Sequence, residues 1–266
     1  MTTRLDTELV RRGLARSRGH AGELIAAGRV TVDGALAVRN AAQVTDAGDL
    51  RVRTDAADPG YASRAGHKLA GALDAFEPHG LVVAGRDCLD AGASTGGFTD
   101  VLLRRGARHV VAVDVGHGQL LPELRDDARV DSREGVNVRD LQPDEIQPVP
   151  ELVVADLSFI SLTLVLRPLA EVATDDADLL VMVKPQFEVG RERLGSGGVV
   201  RDAGLQSQVV QGVARAAGEL GLGVHGVEPS VLPGPSGNVE FFLWLRRGTQ
   251  GTVSAAQIDA VVRGAS

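Results

Sequence analysis

The chain has 266 residues, enough for one large domain and a smaller one. Its 44% apolar and 24% charged residues are typical of a soluble globular protein, and no run of about 18 apolar residues could span a membrane. No signal peptide is recognisable, so we expect a cytoplasmic protein, and the net charge of −7 argues mildly against a nucleic-acid partner.

Positive charge is nevertheless concentrated near the N-terminus. Residues 1–68 hold 11 basic and 8 acidic residues, a net charge of +3, whereas residues 69–266 hold 17 and 27, a net charge of −10. A local positive surface is what an RNA-binding module requires, even in a protein that is acidic as a whole.

The cysteine and histidine content gives no sign of a metal site. Cys88 is the only cysteine, and it lies in an apolar run, so we expect it to be a small core residue. The six histidines have neither cysteine partners nor the spacing of metal ligands. We therefore expect no bound metal.

Residues 4–53 predict a small α/β unit. A short helical stripe ends at Gly13, and Ser17 is a suitable N-cap for a second helix that stops at Gly28. Asp33-Gly34 between two short β-like runs predicts a hairpin, and the alternating run 50–53 predicts a further strand.

Arginines cluster where the two predicted helices meet, and charge alone leaves a solvated basic face or an RNA contact as equal explanations. The run R-L-D-x-x-L-V-x-R-G-L-A-x-S-R, followed by L-I-x-x-G-x-V-x-V-D-G, resembles the S4-like RNA-binding domain. This resemblance implies that the helix pair and its basic residues hold structured RNA. The candidate RNA contacts are Arg4, Arg11, Arg12, Arg16, Arg18 and, beyond this unit, Arg64.

The region 81–185 alternates strand-like and helix-like runs, which predicts a doubly wound parallel sheet. We predict helices at 98–105, 119–125, 162–172, 203–221 and 255–262. We predict strands at 82–84, 87–90, 109–114, 129–132, 152–156, 179–184, 224–227 and 239–245. Several strands end in a polar residue at the carboxyl edge, where open α/β sheets bind ligands: Asp90, Asp114, Asp156 and Lys184.

The first of these strands leads into a glycine-rich loop. Gly92, Gly96 and Gly97 let the backbone approach a ligand, but their spacing is not G-x-G-x-x-G and no phosphate-loop lysine follows. Asp114 lies about 20 residues further on, where an acid accepts hydrogen bonds from ribose hydroxyls. These features favour a nucleoside without phosphates over a dinucleotide, and S-adenosylmethionine is the common one.

A second group of residues, Lys68, Asp156, Lys184 and Glu240, can meet at the same rim of the sheet. A ribose 2′-hydroxyl is a poor nucleophile until its proton is removed, and a lysine with its ordinary pKa is the wrong base. Lys68 beside Lys184 could supply the cation that lowers the pKa of Lys184. Whether Lys184 acts as the base or stabilises the developing alkoxide stays open.

From Ser63 onward the chain resembles the TlyA family of ribosomal-RNA (cytidine-2′-O)-methyltransferases, which is FtsJ-like. The matching runs are S-R-A-G-H-K-L, C-L-D-A-G-A-S-T-G-G-F-T, V-V-A-D-L-S-F-I-S-L, V-K-P-Q-F-E-V-G and L-P-G-P-S-G-N-V-E-F-F-L-W-L. The resemblance implies an S4-like domain at 1–55, a linker at 56–63 and a methyltransferase domain at 64–266. It also implies a Rossmann-like α/β fold, with a mostly parallel seven-stranded sheet and helices on both faces.

The resemblance further implies the chemistry. A Lys-Asp-Lys-Glu tetrad falls on Lys68, Asp156, Lys184 and Glu240. Phe159 could stack on the cofactor or the target base. The implied reaction is S-adenosylmethionine-dependent 2′-O-methylation of a cytidine in 23S rRNA, and in some members also in 16S rRNA. The implied cofactor contacts are Asp90, Gly92, Ala93, Ser94, Gly96, Gly97, Phe98, Asp114, Asn137 and Asp156.

The expected partners are ribosomal RNA or ribosomal subunits, with no membrane and no metal, and we expect a monomer. One alternative is a non-catalytic RNA-binding or ribosome-assembly factor, which the four filled tetrad positions disfavour. A second is a membrane-acting protein, because some relatives carry a haemolysin label, although no strongly basic amphipathic helix supports it. A third is a nicotinamide-dependent oxidoreductase.

Overall fold

The computed structural model describes residues 2–53, 59–234 and 236–265. The chain divides into two compact units, residues 1–60 and 61–266. Of the predicted linker 56–63, residues 56–58 lie outside the described residues, and Tyr61 to Ser63 belong to the second unit.

In the part of the first unit that the structure describes, two helices and five short strands surround an apolar core. The helices are α1 (Leu5–Arg11) and α2 (Arg18–Ala26). The strands are β1 (Thr2–Arg4), β2 (Val30–Val32), β3 (Ala35–Leu36), β4 (Gln43–Thr45) and β5 (Leu50–Val52). They form an antiparallel pair β1-β4 and a three-stranded antiparallel sheet in the order β3-β2-β5.

Local sequence signals account for much of this unit. The Ser17 side chain accepts a hydrogen bond of 3.1 Å from the backbone N–H of His20 and so caps α2. Asp33 and Gly34 both have positive φ, 50° and 81°, as a tight two-residue hairpin turn requires. The predicted cap and hairpin are therefore confirmed, whereas β1 and β4 had not been predicted.

The second unit contains seven further helices and a seven-stranded sheet among the described residues. The helices are α3 (Arg64–Phe76), α4 (Gly97–Arg104), α5 (Pro122–Arg125), α6 (Leu166–Glu171), α7 (Pro185–Glu188), α8 (Ala203–Glu219) and α9 (Ala255–Ala265). The strands are β6 (Asp87–Ala91), β7 (His109–Asp114), β8 (Val130–Glu134), β9 (Leu152–Ala155), β10 (Asp178–Val183), β11 (Leu222–Pro229) and β12 (Phe241–Arg247).

The strand order is β8-β7-β6-β9-β10-β12-β11. The first five strands are parallel, and β12 is antiparallel to both of its neighbours. Successive residues of a strand enter opposite apolar layers, as Cys88 and Leu89 do in β6. Both faces are therefore buried, which explains the nearly continuous apolar runs of the parallel strands. The predicted Rossmann-like fold is confirmed.

Some predicted elements were wrong. Residues 82–84 form no strand, because the chain turns at Gly85, where the N–H of Arg86 bonds to the carbonyl of Val83 at 3.1 Å. The helix predicted at 119–125 begins only at Pro122, since a proline disfavours helical geometry in the residue before it. The helix predicted at 162–172 is divided into a 3₁₀ turn at 162–164 and α6.

Candidate active site

The sheet topology brings the predicted polar residues to one edge. Strands β6, β9 and β10 are adjacent and parallel, so Asp90, Asp156 and Lys184 lie at or just after neighbouring carboxyl ends. Glu240 comes directly before β12, and the antiparallel register pairs Phe241 with Val183. The start of β12 is therefore level with the end of β10, which places Glu240 at the same edge.

Four predicted side chains form two buried ion pairs. The Nζ atom of Lys68, on α3, lies 2.5 Å from Oε2 of Glu240, and Nζ of Lys184 lies 2.6 Å from Oδ1 of Asp156. The first pair is hydrogen-bonded, whereas the Lys184–Asp156 contact is close but not aligned as a hydrogen bond. Both lysines and Glu240 are less than 10% exposed. Each lysine thus has a carboxylate partner that can orient its ammonium group.

Two residues that had not been predicted connect this group. Lys184 Nζ donates a hydrogen bond of 2.9 Å to Oγ of Ser158. Gln186 Nε2 donates a longer one of 3.4 Å to Oε1 of Glu240, so it links the segment after β10 to the first ion pair. Both residues lie inside runs that carry the family resemblance, which was the available signal.

A count of residue types also distinguishes the two lysines. The chain has 28 basic residues, and Lys68 and Lys184 are its only lysines. Everywhere else positive charge is carried by arginine, whose guanidinium stays protonated in proteins, whereas a lysine ammonium is compact and can lose its proton. This contrast is readable in the sequence itself.

The glycine-rich loop approaches the ion pairs closely. Gly92 has φ of 91°, and a Cβ atom there would lie 2.6 Å from the carbonyl oxygen of Asp156. The carboxylate of Asp114 holds the loop from the other side, accepting hydrogen bonds from the N–H groups of Ser94 (2.8 Å) and Gly116 (2.7 Å). Only glycine fits at position 92 without displacing the chain.

A cavity of about 410 Å³ opens beside this loop. The predicted cofactor residues that line it are Gly92, Ser94, Asp114, Asn137 and Asp156. The others do not line it. Ala93 and Phe98 are buried, and the rings of Phe98 and Phe242 are stacked with their centroids 6.1 Å apart. Gly96 and Gly97 pack against neighbouring side chains. Asp90 is fully buried.

A second cavity, of about 700 Å³, adjoins the first. Both are lined by residues 158–160, and the second also contains Lys184 and Gln186. Phe159 is 91% exposed, has φ of 64° and lies with its ring 5.1 Å from that of Phe187. Since Asp156 lines one cavity and Lys184 the other, their contact marks the junction between them.

Several arginines of the cluster in the first unit form ion pairs with buried carboxylates of that unit. Arg4 and Arg18 bind the buried carboxylate of Asp6, at 2.7 and 3.2 Å. Arg11 and Arg12 bind the buried carboxylate of Glu8. The hydrogen bond from Arg11, and then that from Arg12, lowers the pKa of Glu8 to about 2.

The arginines of this cluster differ in exposure. The side chain of Arg12 is 23% exposed, and its guanidinium also bonds to three backbone carbonyls, so it mainly braces the unit. Arg16 is exposed, and the Arg18 side chain is 62% exposed. Arg64, in the second unit, is exposed at the start of α3.

Both units of the chain are similar to known protein families. A model of the FtsJ-like methyltransferase family matches residues 61–247, and a model of the S4 domain matches residues 3–49. The 16S/23S rRNA (cytidine-2′-O)-methyltransferase TlyA of Mycobacterium tuberculosis is 57% identical over 264 residues, covering 99% of this chain and 97% of that protein. The chain belongs to the TlyA family.

Other relatives of this TlyA-family chain carry a different name. Hemolysin A of Brachyspira hyodysenteriae is 36% identical, covering 90% of this chain and 97% of that protein. The solved structure of a protein from Streptococcus thermophilus, proposed to be a hemolysin, is 37% identical with a TM-score of 0.79, covering 99% of this chain and 95% of that one. No helix that the structure describes is long and apolar enough to cross a membrane.

Family membership settles the class of the protein. It is an enzyme, a methyltransferase with an S4 domain and an FtsJ-like domain, and its methyl donor is S-adenosylmethionine. Within residues 2–53, 59–234 and 236–265, no three side chains of the metal-binding types come together. The predicted family, enzyme class and cofactor are confirmed.

Asp90 gives a prediction about stability. Its carboxyl group is fully buried, Oδ2 accepts a 2.7 Å hydrogen bond from Thr99, and Oδ1 has no partner among the described residues. Burial raises the pKa of Asp90 to about 7, and the nearby charge of Asp156 adds to the effect. The folded protein therefore keeps a proton that the unfolded chain loses near pH 4.

The free energy of unfolding is consequently expected to fall, by about 1.4 kcal/mol per pH unit, as the pH rises between about 5 and 6.5. Asp90→Asn should remove this contribution, because the amide does not titrate. Urea unfolding of the cofactor-free protein at several pH values measures it. An identical pH dependence in both proteins would show that Asp90 is ionised in the folded state.

Proposed function

We propose that this protein transfers the methyl group of S-adenosylmethionine to the 2′-hydroxyl of a cytidine in ribosomal RNA, in both 23S and 16S rRNA. The observation that carries the proposal is the Lys184–Asp156 contact at the junction of two cavities. One cavity has the features of a nucleoside site, and the other is large enough for a nucleotide. The relative from Mycobacterium tuberculosis is named for this substrate.

The first cavity fits S-adenosylmethionine. The glycine at position 92 keeps the backbone open to a ligand, and Asp114 and Asn137 present side-chain oxygen and nitrogen atoms to it. Asp156 also lines this cavity, and a carboxylate at that place suits a ligand that carries an ammonium group. When bound there, the cofactor supplies an electrophilic methyl group.

The geometry supports Lys184 as the residue that acts on the ribose hydroxyl. Its Nζ atom already donates to the Ser158 hydroxyl, so it has N–H groups directed into this region. We assign it the role of holding the target oxygen and stabilising the negative charge that develops there, which a preorganised cation does best in a site with little water. Asp156 fixes the position of the ammonium group, and the Lys68–Glu240 pair supports the rim from α3 and β12.

The target nucleotide has an aromatic surface available. The exposed ring of Phe159 and the neighbouring ring of Phe187 line the second cavity beside Lys184. A base taken out of its RNA stack can be held against such a ring, which leaves its ribose near the lysine. The S4 unit would hold structured RNA through its exposed arginines, among them Arg16 and Arg18.

The proposal is tested by mapping 2′-O-methylation on both rRNAs from cells with and without the gene. We expect one cytidine in 23S rRNA and one in 16S rRNA to lose the modification, and the purified enzyme to restore it with S-adenosylmethionine. Loss at one rRNA only would restrict the substrate to that subunit. An unchanged methylation map would reject the proposed substrate.

A further inference from the structure

A third cavity, of about 470 Å³, lies next to the catalytic region and has no role in the mechanism above. It runs between the segment after β9, the segment after α7 and one face of α8. Its polar lining includes Thr163, Arg193, Gln208 and Arg215. Ser161 lines both this groove and the cavity that contains Lys184, so the two lie next to each other.

The two arginines of this groove differ from most others in the second unit. That unit is acidic, and most of its arginines are paired with carboxylates, including Arg86, Arg108 and Arg246. Arg193 and Arg215 are exposed, and neither has a carboxylate within ion-pair distance among the residues that the structure describes. Arg193 is held by one hydrogen bond of 3.0 Å from Nε to the carbonyl of Val189.

The carboxylate that lines the groove, Glu188, is bonded to the protein itself. Both oxygens of Glu188 accept hydrogen bonds, from Oγ of Ser161 at 2.6 Å and from the N–H of Leu162 at 2.8 Å. Burial also raises the pKa of Glu188. The charge of the groove is therefore dominated by the two guanidinium groups.

The helix that forms the floor of the groove, α8, carries no side chain at one position that lines it, Gly212. Gly212 lies in the interior of α8, where a glycine weakens a helix. Packing does not demand it, because a Cβ atom there would meet only Arg215 Nη2, at 3.9 Å. The glycine leaves the floor without a side chain, which is useful when something else occupies the space.

We propose that this groove binds a phosphodiester group of the RNA substrate next to the target nucleotide. Arginine forks match phosphate oxygens, and the side-chain amide of Gln208 is a further donor of the kind that positions RNA backbones. The inference rests on the proposed function, since it requires an RNA substrate. It adds a contact on the methyltransferase unit that is independent of the S4 unit.

The test compares the wild-type protein with a double variant, Arg193→Gln with Arg215→Gln, in binding to protein-free 23S and 16S rRNA across a range of salt concentrations. Losing two phosphate contacts should reduce the magnitude of the slope of log affinity against log salt concentration by about 1.5. This change corresponds to about tenfold weaker binding at 0.15 M salt. Arg263→Gln, which makes the same type of change on α9, is the matched control and should leave the slope unchanged.

A second pair of variants tests whether the space above Gly212 in the groove is needed for RNA binding. Gly212→Ala fits and should bind RNA normally, whereas Gly212→Gln should fill the groove and weaken binding. Affinity for S-adenosylmethionine, measured by calorimetry, should be unchanged in every variant, which shows that the fold is kept. The inference is overturned if the wild-type protein binds RNA and the double variant has the same slope. A wild-type protein that binds no rRNA would instead reject the proposed function.

Discussion

Lys184→Ala is expected to lower the rate of methyl transfer to rRNA by about 10²–10⁴-fold, while the affinity for S-adenosylmethionine stays unchanged. The reason is the position of Lys184, which lines the cavity next to the cofactor cavity and not the cofactor cavity itself. Single-turnover methylation with a radiolabelled donor measures the rate, and calorimetry measures the affinity. A variant that still methylates at a rate close to the wild type would remove Lys184 from the mechanism.

Lys184→Arg separates the two roles that lysine could have. Arginine keeps the positive charge but does not give up its proton in proteins. Partial activity would support electrostatic stabilisation of the ribose oxygen, whereas complete loss would favour a base or a strict requirement for the smaller ammonium group. Because the chain has only two lysines, ¹⁵N-labelling of lysine gives two side-chain signals, and their titration reports directly on the protonation of the site.

Asp178→Ala is expected to lower the free energy of unfolding by about 4 kcal/mol, as other broken buried ion pairs do. Asp178 begins β10 and is fully buried at the end of the sheet opposite the site. Its carboxylate accepts hydrogen bonds from Arg86 (2.6 Å), Trp244 (2.7 Å) and Arg246 (3.0 Å). Removing it leaves two guanidinium groups and an indole N–H without their acceptor.

The matched control for this variant lies three residues earlier. The side chain of Asp175 is 99% exposed and forms an ion pair with Arg247 at 3.3 Å, so Asp175→Ala should change the free energy by less than about 0.5 kcal/mol. Urea unfolding followed by circular dichroism measures both variants. If Asp178→Ala is no less stable than the control, the buried carboxylate contributes nothing to the fold.

The sequence predicted the large sheet well because its parallel strands are buried on both faces. The runs around Val111, Val153 and Val181 are nearly continuous apolar stretches, so they stand out from the helices between them. The short strands of the first unit have no such pattern. Thr2–Arg4 pairs with Gln43–Thr45 across a long separation in sequence, and three polar or mixed residues carry no signal of that pairing.

In the candidate site, too, one part could be predicted from the sequence and another part could not. Residues at strand ends could be assigned to one edge, since parallel strands place their carboxyl ends together. Which lysine meets which carboxylate could not be predicted. Lys68 and Glu240 are separated by 172 residues, and only the antiparallel insertion of β12 brings them to 2.5 Å.

That insertion also fixes when the site is complete during synthesis. The residues that line the cofactor cavity lie between positions 92 and 165, whereas Glu240 is delivered by a strand close to the C-terminal end. Chains emerge from the ribosome N-terminus first, so the nucleoside cavity can be assembled well before the Lys68–Glu240 pair. Until β12 arrives, β10 is paired only with β9, and the backbone N–H and C=O groups of its other edge have no strand to bond to. A chain without β12 therefore lacks both Glu240 and the strand that pairs with the outer edge of β10.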